Sequence, residues 1–245
     1  MDVKKLRLDL RAPTTFLFLK VFVFASLLLV LSLVHSFWWQ AAFGGYVVFL
    51  FLNFFGDKKL RICFLLFSLL SVLAVGLLAG SFWNVSLIIF LSFLLFLLLG
   101  VKILVFSQIK SVLGIFFYFL VFLLLVAFSG NWFSANFPLK TVVFFFLFYL
   151  VLKEYFSFVL GVFDGRKKVY LLAVSFLTAQ LLWTASLLSV GFLNAASLVL
   201  VFLIASLDVL FHHFLGELNF RVALKNIVFF GFFSSMILVL PVVIF

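Results

Sequence analysis

Few side chains in this sequence could do chemistry, and four stand out because nearly everything around them is apolar: Glu154, Gln180, Asp208 and His212. Asp208 and His212 are four residues apart, so on a helix they share a face. A carboxylate beside an imidazole can hold a metal or relay a proton. It can equally make a hydrogen bond near a helix end that fixes packing, which is the commoner role of such a pair. Val201, Ser197 and Asn194 continue the same face, so polar residues stand at both ends of the stripe. His213 and Glu217 are also four apart, on a different face, and Arg221 and Lys225 follow at the same interval. The string from His212 to Glu217 is not the zinc-protease pattern, in which two His stand four apart with a Glu beside the first.

Glu154 follows Lys153 inside an apolar run. Its short stem cannot carry the carboxylate far, so it should be protonated, paired or facing an aqueous cavity. An ion pair with a basic residue of a neighbouring helix is the plain reading; a proton-coupled or substrate-binding carboxylate is the sharper one. Gln180 has Thr184 one turn on, and Ser175, Thr178, Ser186 and Ser189 form a second polar stripe. Such groups commonly hydrogen-bond between helices, each for about 0.6 kcal/mol. Glu154, Gln180, Asp208 and His212 are therefore the candidate polar site within the membrane. No residue is assigned a catalytic role, and no metal or other cofactor is expected. The sequence carries no P-loop, no dinucleotide-binding glycine pattern, no nucleophile elbow and no selectivity-filter string. Cys63 is the sole cysteine, which excludes an intrachain disulfide and a zinc site of several thiolates.

These residues need a scaffold, and composition decides what kind. Of 245 residues, 68% are hydrophobic and 10% charged, against about half and about a quarter in a soluble domain. A water-soluble particle of this size would expose apolar patches large enough to aggregate. Lipid must be the solvent, and the 42 Phe residues suit the centre of an inserted helix. The net charge of +10 would suggest nucleic acid in a soluble protein. Here the basic residues form short clusters between apolar runs, so they report topology and contact with anionic headgroups on the cytoplasmic side; no nucleic-acid partner is expected.

A helix needs about 20 apolar residues to cross the hydrocarbon, and the apolar runs are continuous rather than alternating, which argues against a barrel. The sequence predicts an all-α polytopic transmembrane bundle of about nine spans, near 16–37, 39–55, 61–79, 84–105, 112–128, 139–161, 169–190, 195–214 and 226–245. The connections are short, so the expectation is a single transmembrane domain over 1–245, with 1–15 a basic cytoplasmic segment. The first run is too long for a signal peptide's apolar region and reads as an uncleaved span. Basic residues cluster before span one and after spans two, four, six and eight, at Lys4, Lys5, Arg7, Arg11, Lys58, Lys59, Arg61, Lys110, Arg166, Lys167, Lys168, Arg221 and Lys225. Lys140 alone falls on the other side; Lys20, Lys102 and Lys153 lie within spans. That alternation puts the N-terminus in the cytoplasm and the C-terminus outside. Trp38, Trp39, Trp83 and Trp132 fall at outer boundaries, where indole rings settle. Lys20 and Lys102 are near cytoplasmic span ends, where their stems can snorkel. Ala41, Ala42, Gly44 and Gly45 would let another helix approach span two closely.

Residues 150–245 resemble a family of uncharacterised multi-pass inner-membrane proteins of small-genome bacteria. The resemblance rests on Lys153-Glu154, Gln180-Leu-Leu-Trp183, Gly191-Phe-Leu-Asn194, and Asp208 with His212 and Gly216. It implies a bacterial cytoplasmic membrane and no particular chemistry. Three functions fit the residues. One is a non-enzymatic membrane scaffold or assembly subunit, with a membrane-protein partner or a second copy of itself. Another is a transporter of small solutes or lipids with a polar site between spans six and eight. The third is an intramembrane metal-dependent enzyme.

Overall fold

The computed structural model describes residues 3–34, 36–55, 60–77, 83–102, 109–129, 137–161, 165–187 and 191–244. Among them the chain forms nine helices and no strand: α1 (Val3–Leu33), α2 (Phe37–Phe54), α3 (Arg61–Leu77), α4 (Trp83–Lys102), α5 (Ile109–Ser129), α6 (Phe137–Leu160), α7 (Gly165–Leu187), α8 (Phe192–Leu215) and α9 (Phe220–Ile244). Eight are long and apolar enough to cross a bilayer; α3 is apolar but shorter. The protein is a multi-pass helical membrane protein. Every expected span has its helix, and the largest differences lie at two N-termini. Helix α1 runs back through the basic segment to Val3. Helix α9 starts at Phe220, six residues before the expected 226, because the Asn219 side chain accepts the Val222 N–H at 3.0 Å and caps it. The preceding helix stops at Gly216, whose φ of 74° suits glycine. There Glu217 N–H reaches His212 O at 2.9 Å and Gly216 N–H reaches His213 O at 3.1 Å, the paired bonds of a Schellman end. Gly216 and Asn219 thus write a tight α8–α9 hairpin into the sequence.

The chain divides into two compact units, Met1–Leu120 and Val121–Phe245, with the boundary inside α5. In the first unit α1 touches α2, α3 and α4. Phe24 is fully buried and meets Phe43 of α2 at 5.5 Å and Phe67 of α3 at 5.9 Å between ring centroids. Phe67 in turn meets Phe116 in the first half of α5 edge-on at 5.7 Å. Interlocked rings suit a lipid solvent, where association rests on close packing rather than on expulsion of water. In the second unit α6, α7, α8 and α9 touch in chain order. Helix α7 buries Leu171, Ser175, Thr178, Ala179, Leu182 and Ala185, a seam of mostly small residues that lets its neighbours come close.

The serines and threonines expected to bond between helices bond instead to their own. Ser175 donates to Leu171 O at 2.8 Å, Thr178 to Val174 O at 2.7 Å, Thr184 to Leu181 O at 3.0 Å and Ser186 to Trp183 O at 2.7 Å. Ser68, Ser71 and Ser92, all buried, do the same. A carbonyl three or four residues back is always within reach of a short hydroxyl, whereas a partner on another helix must be placed there by packing. Ser189, His35 and Trp132 fall outside the described residues, as do the side chains of Trp83 and Lys102. Trp38 and Trp183 are exposed.

Lys20 departs from the expectation of a snorkelling stem. It is only 5% exposed, and its Nζ sits 3.8 Å from the Phe16 ring centroid and 3.6 Å from that of Phe54 on α2, with no hydrogen-bond partner. The two rings enclose the ammonium before it reaches water. Each face returns up to about 2 kcal/mol, while burying an unpaired ion costs several kcal/mol. On that comparison the charge is a net liability. We expect Lys20→Met to raise the unfolding midpoint in mild detergent, by about 1 kcal/mol of stability, and Lys20→Glu to lower it. A loss of stability in Lys20→Met would mean the cation–ring contacts outweigh the desolvation.

Candidate functional site

The α8–α9 hairpin sets the second helix beside the last turns of the first, and Asp208 lies in that seam. Asn226 of α9 is buried, 6% exposed, and its Nδ2 donates to Asp208 Oδ2 at 2.8 Å and to Val222 O at 2.9 Å. Lys225 Nζ lies 3.6 Å from the same carboxylate oxygen. His212 Nδ1 is 2.9 Å from the Asp208 backbone carbonyl and 3.6 Å from its Oδ1. A carbonyl oxygen only accepts, so Nδ1 carries the hydrogen and its bond runs to the backbone. Asp208 and His212 therefore do meet, with the carboxylate turned towards α9.

The Asp208–Asn226 bond is the strongest polar tie between the two helices. Hydrogen bonds to charged groups contribute about 1.5–3 kcal/mol in soluble proteins, but interhelical bonds in membranes average about 0.6 and reach about 1.7. The second figure applies here. The Lys225 pair adds little, because that side chain is 72% exposed and its charge is screened. The cluster is suited to holding two helices in register.

The other two candidates lie elsewhere. Glu154 is half-buried on α6 and is not free of interactions within the chain. Gln180 is exposed on α7, near its middle, and has no hydrogen-bond partner among the described residues. The face expected to run from His213 through Glu217 to Arg221 and Lys225 does not exist as one helix face, because α8 ends at Leu215. His213 turns to α7 instead, where its ring meets Tyr170 at 5.0 Å.

His213 and Tyr170 border a sizeable hollow of the second unit, an apolar groove of about 540 Å³ among α7, α8 and α9. Asn226 lines it; Glu154, Gln180, Asp208 and His212 do not. Among the described residues no group of three His, Cys, Asp or Glu is placed to hold a metal ion. Asn226 is the residue that sequence reasoning missed. It stood at the expected start of span nine and read as a span end, whereas the Asn219 cap places it well inside α9. An amide beside Lys225 on the helix that follows the one carrying Asp208 was the available signal.

No family model, no curated protein and no solved structure matches this chain.

A double-mutant cycle with Asp208→Leu and Asn226→Leu should give a coupling of about 1 kcal/mol in detergent unfolding. Lys225→Gln should change stability by less than about 0.5 kcal/mol. Coupling near zero would show that the Asp208–Asn226 bond does not hold the hairpin.

Proposed function

We propose that this chain is a non-enzymatic subunit or scaffold of a membrane assembly, seated in a bacterial cytoplasmic membrane with its N-terminus inside and its C-terminus outside. The observation that carries the reading is Gln180: an amide near the middle of an apolar helix, exposed and without a partner among the described residues. An amide left unpaired in hydrocarbon costs about 1–3 kcal/mol on protein-based scales. A polar group on another polypeptide removes that cost, and lipid tails cannot. Exposed Ala41, Ala42, Gly44 and Gly45 on α2 support the same reading. A side chain built at Gly44 or Gly45 would meet nothing within 4 Å, so this small-residue face has room for an incoming helix.

The transporter reading needs Glu154, Gln180, Asp208 and His212 to share one polar cavity, and the groove lined by His213 and Asn226 includes none of the four. The orientation rests on charge. Counting α3 as a span keeps Arg61, Lys110, Arg166–Lys168 and Arg221 on one side; omitting it would split them. The resemblance of residues 150–245 to inner-membrane proteins of small-genome bacteria supports the choice of membrane.

The test is purification of the full chain from its native membrane in mild detergent, followed by native mass spectrometry. The proposal predicts a stoichiometric complex, with a second protein or a second copy. Gln180→Leu should weaken it roughly three- to fifteen-fold, the range set by interhelical hydrogen bonds, while Glu154→Gln leaves it intact. Recovery of wild type only as a 27.9 kDa monomer would overturn the proposal.

A further inference from the structure

The groove of the second unit has a shape and a charge that the subunit reading does not use. Its volume of about 540 Å³ lies within the range of pockets that bury a small ligand, about 300–1,000 Å³. Along α8 it runs from Phe202 to His213, about 17 Å at 1.5 Å per residue. One leaflet of the hydrocarbon core is about 15 Å deep. The groove is therefore as long as a leaflet is deep, and it is open and almost wholly apolar along that length.

Its ends differ. The deep end is closed by Phe202 and Phe230, whose rings meet edge-on at 5.9 Å. The other end, at Tyr170, His213 and Leu218, lies at the α8–α9 turn and the first turns of α7. There the chain gathers Arg166, Lys167, Lys168, Arg221 and Lys225 against Glu154, Asp208 and Glu217 among the described residues. Lys167 Nζ lies 5.8 Å from the ring centroid of Phe214, next to His213. Asp208 already faces Lys225 and Asn226, and the other four cations outnumber Glu154 and Glu217, which leaves a positive surplus for an outside anion.

We infer that this groove holds one acyl chain of an anionic phospholipid from the leaflet on the basic side, with its phosphate at the cations of the α7 and α9 starts. The occupant follows from two matches: an apolar channel one leaflet long, and a surplus of positive charge at the end where a headgroup would sit. Each Lys or Arg near an anionic headgroup is worth about 1 kcal/mol, so headgroup charge discriminates where the apolar channel cannot. The inference rests on the helices lying in lipid and not on an assembly partner.

The experiment reconstitutes the full chain in vesicles of phosphatidylglycerol and phosphatidylcholine in equal amounts with identical acyl chains. The protein is then re-extracted in mild detergent, and native mass spectrometry counts the lipids it retains. Wild type should keep one phosphatidylglycerol per chain in preference to phosphatidylcholine by about tenfold or more. Ser206→Trp, which fills the groove from α8, should retain neither. The triple variant Arg166→Gln, Lys168→Gln and Arg221→Gln alters only exposed side chains and keeps the test open if the tryptophan variant fails to fold. It should lose most of the preference for phosphatidylglycerol. Equal retention of the two lipids by wild type would overturn the inference, as would undiminished retention by Ser206→Trp or a preference as large as that of wild type in the triple variant.

Discussion

A peptide group in hydrocarbon has no water to bond, so each N–H and C=O in a membrane span must find its partner in protein. That constraint explains most of what is seen here. It makes every apolar run a helix and keeps the connections short. It also governs the side chains, because a hydroxyl or amide in the same solvent meets the same cost. Serines and threonines along α3, α4 and α7 meet it in the simplest way, by returning their hydrogens to a carbonyl three or four residues back. Residues whose groups cannot be satisfied so locally are the ones that shape the molecule.

Asp208, Lys20 and Gln180 show three ways of answering that demand. Asp208 accepts from Asn226 on the next helix and so ties α8 to α9. Lys20 finds no hydrogen-bond partner among the described residues and is held between two phenyl rings. Gln180 presents its amide to the outside of the chain. The first is a structural tie, the second a tolerated charge and the third the point where the proposed assembly would attach. The apolar groove belongs to a different category: nothing polar has to be satisfied along it, and its interest comes from the charge at one end.

The helical class and the approximate place of every helix were legible because they follow from run length and from the rarity of charge. Finer features were legible only in part. Gly216 and Asn219 set the α8–α9 hairpin, yet run length passed over them, since an apolar window sees neither a cap nor a left-handed glycine; the expected start of α9 fell on Asn226 and hid its pairing with Asp208. The spacing of Asp208 and His212 was read correctly as one face, but spacing could not say that the imidazole bonds to the backbone carbonyl. Spacing also suggested a face from His213 to Lys225, which the turn at Gly216 interrupts. Lys20 lay near a span end, as snorkelling requires, and only the packing of α1 on α2 revealed the rings that enclose it. Gln180 could be placed near mid-span from sequence, but not its direction, because that depends on which face of α7 the neighbouring helix covers.

The account depends on hydrocarbon surrounding the helices and on the basic turns staying on one side. Cysteine accessibility tests both together: on a Cys63→Ala background, Lys168→Cys and Leu193→Cys mark the two ends of α7 and α8. With a membrane-impermeant maleimide on intact cells, the account predicts labelling at 193 and none at 168 until the membrane is permeabilised. Labelling of residue 168 from outside intact cells would contradict it.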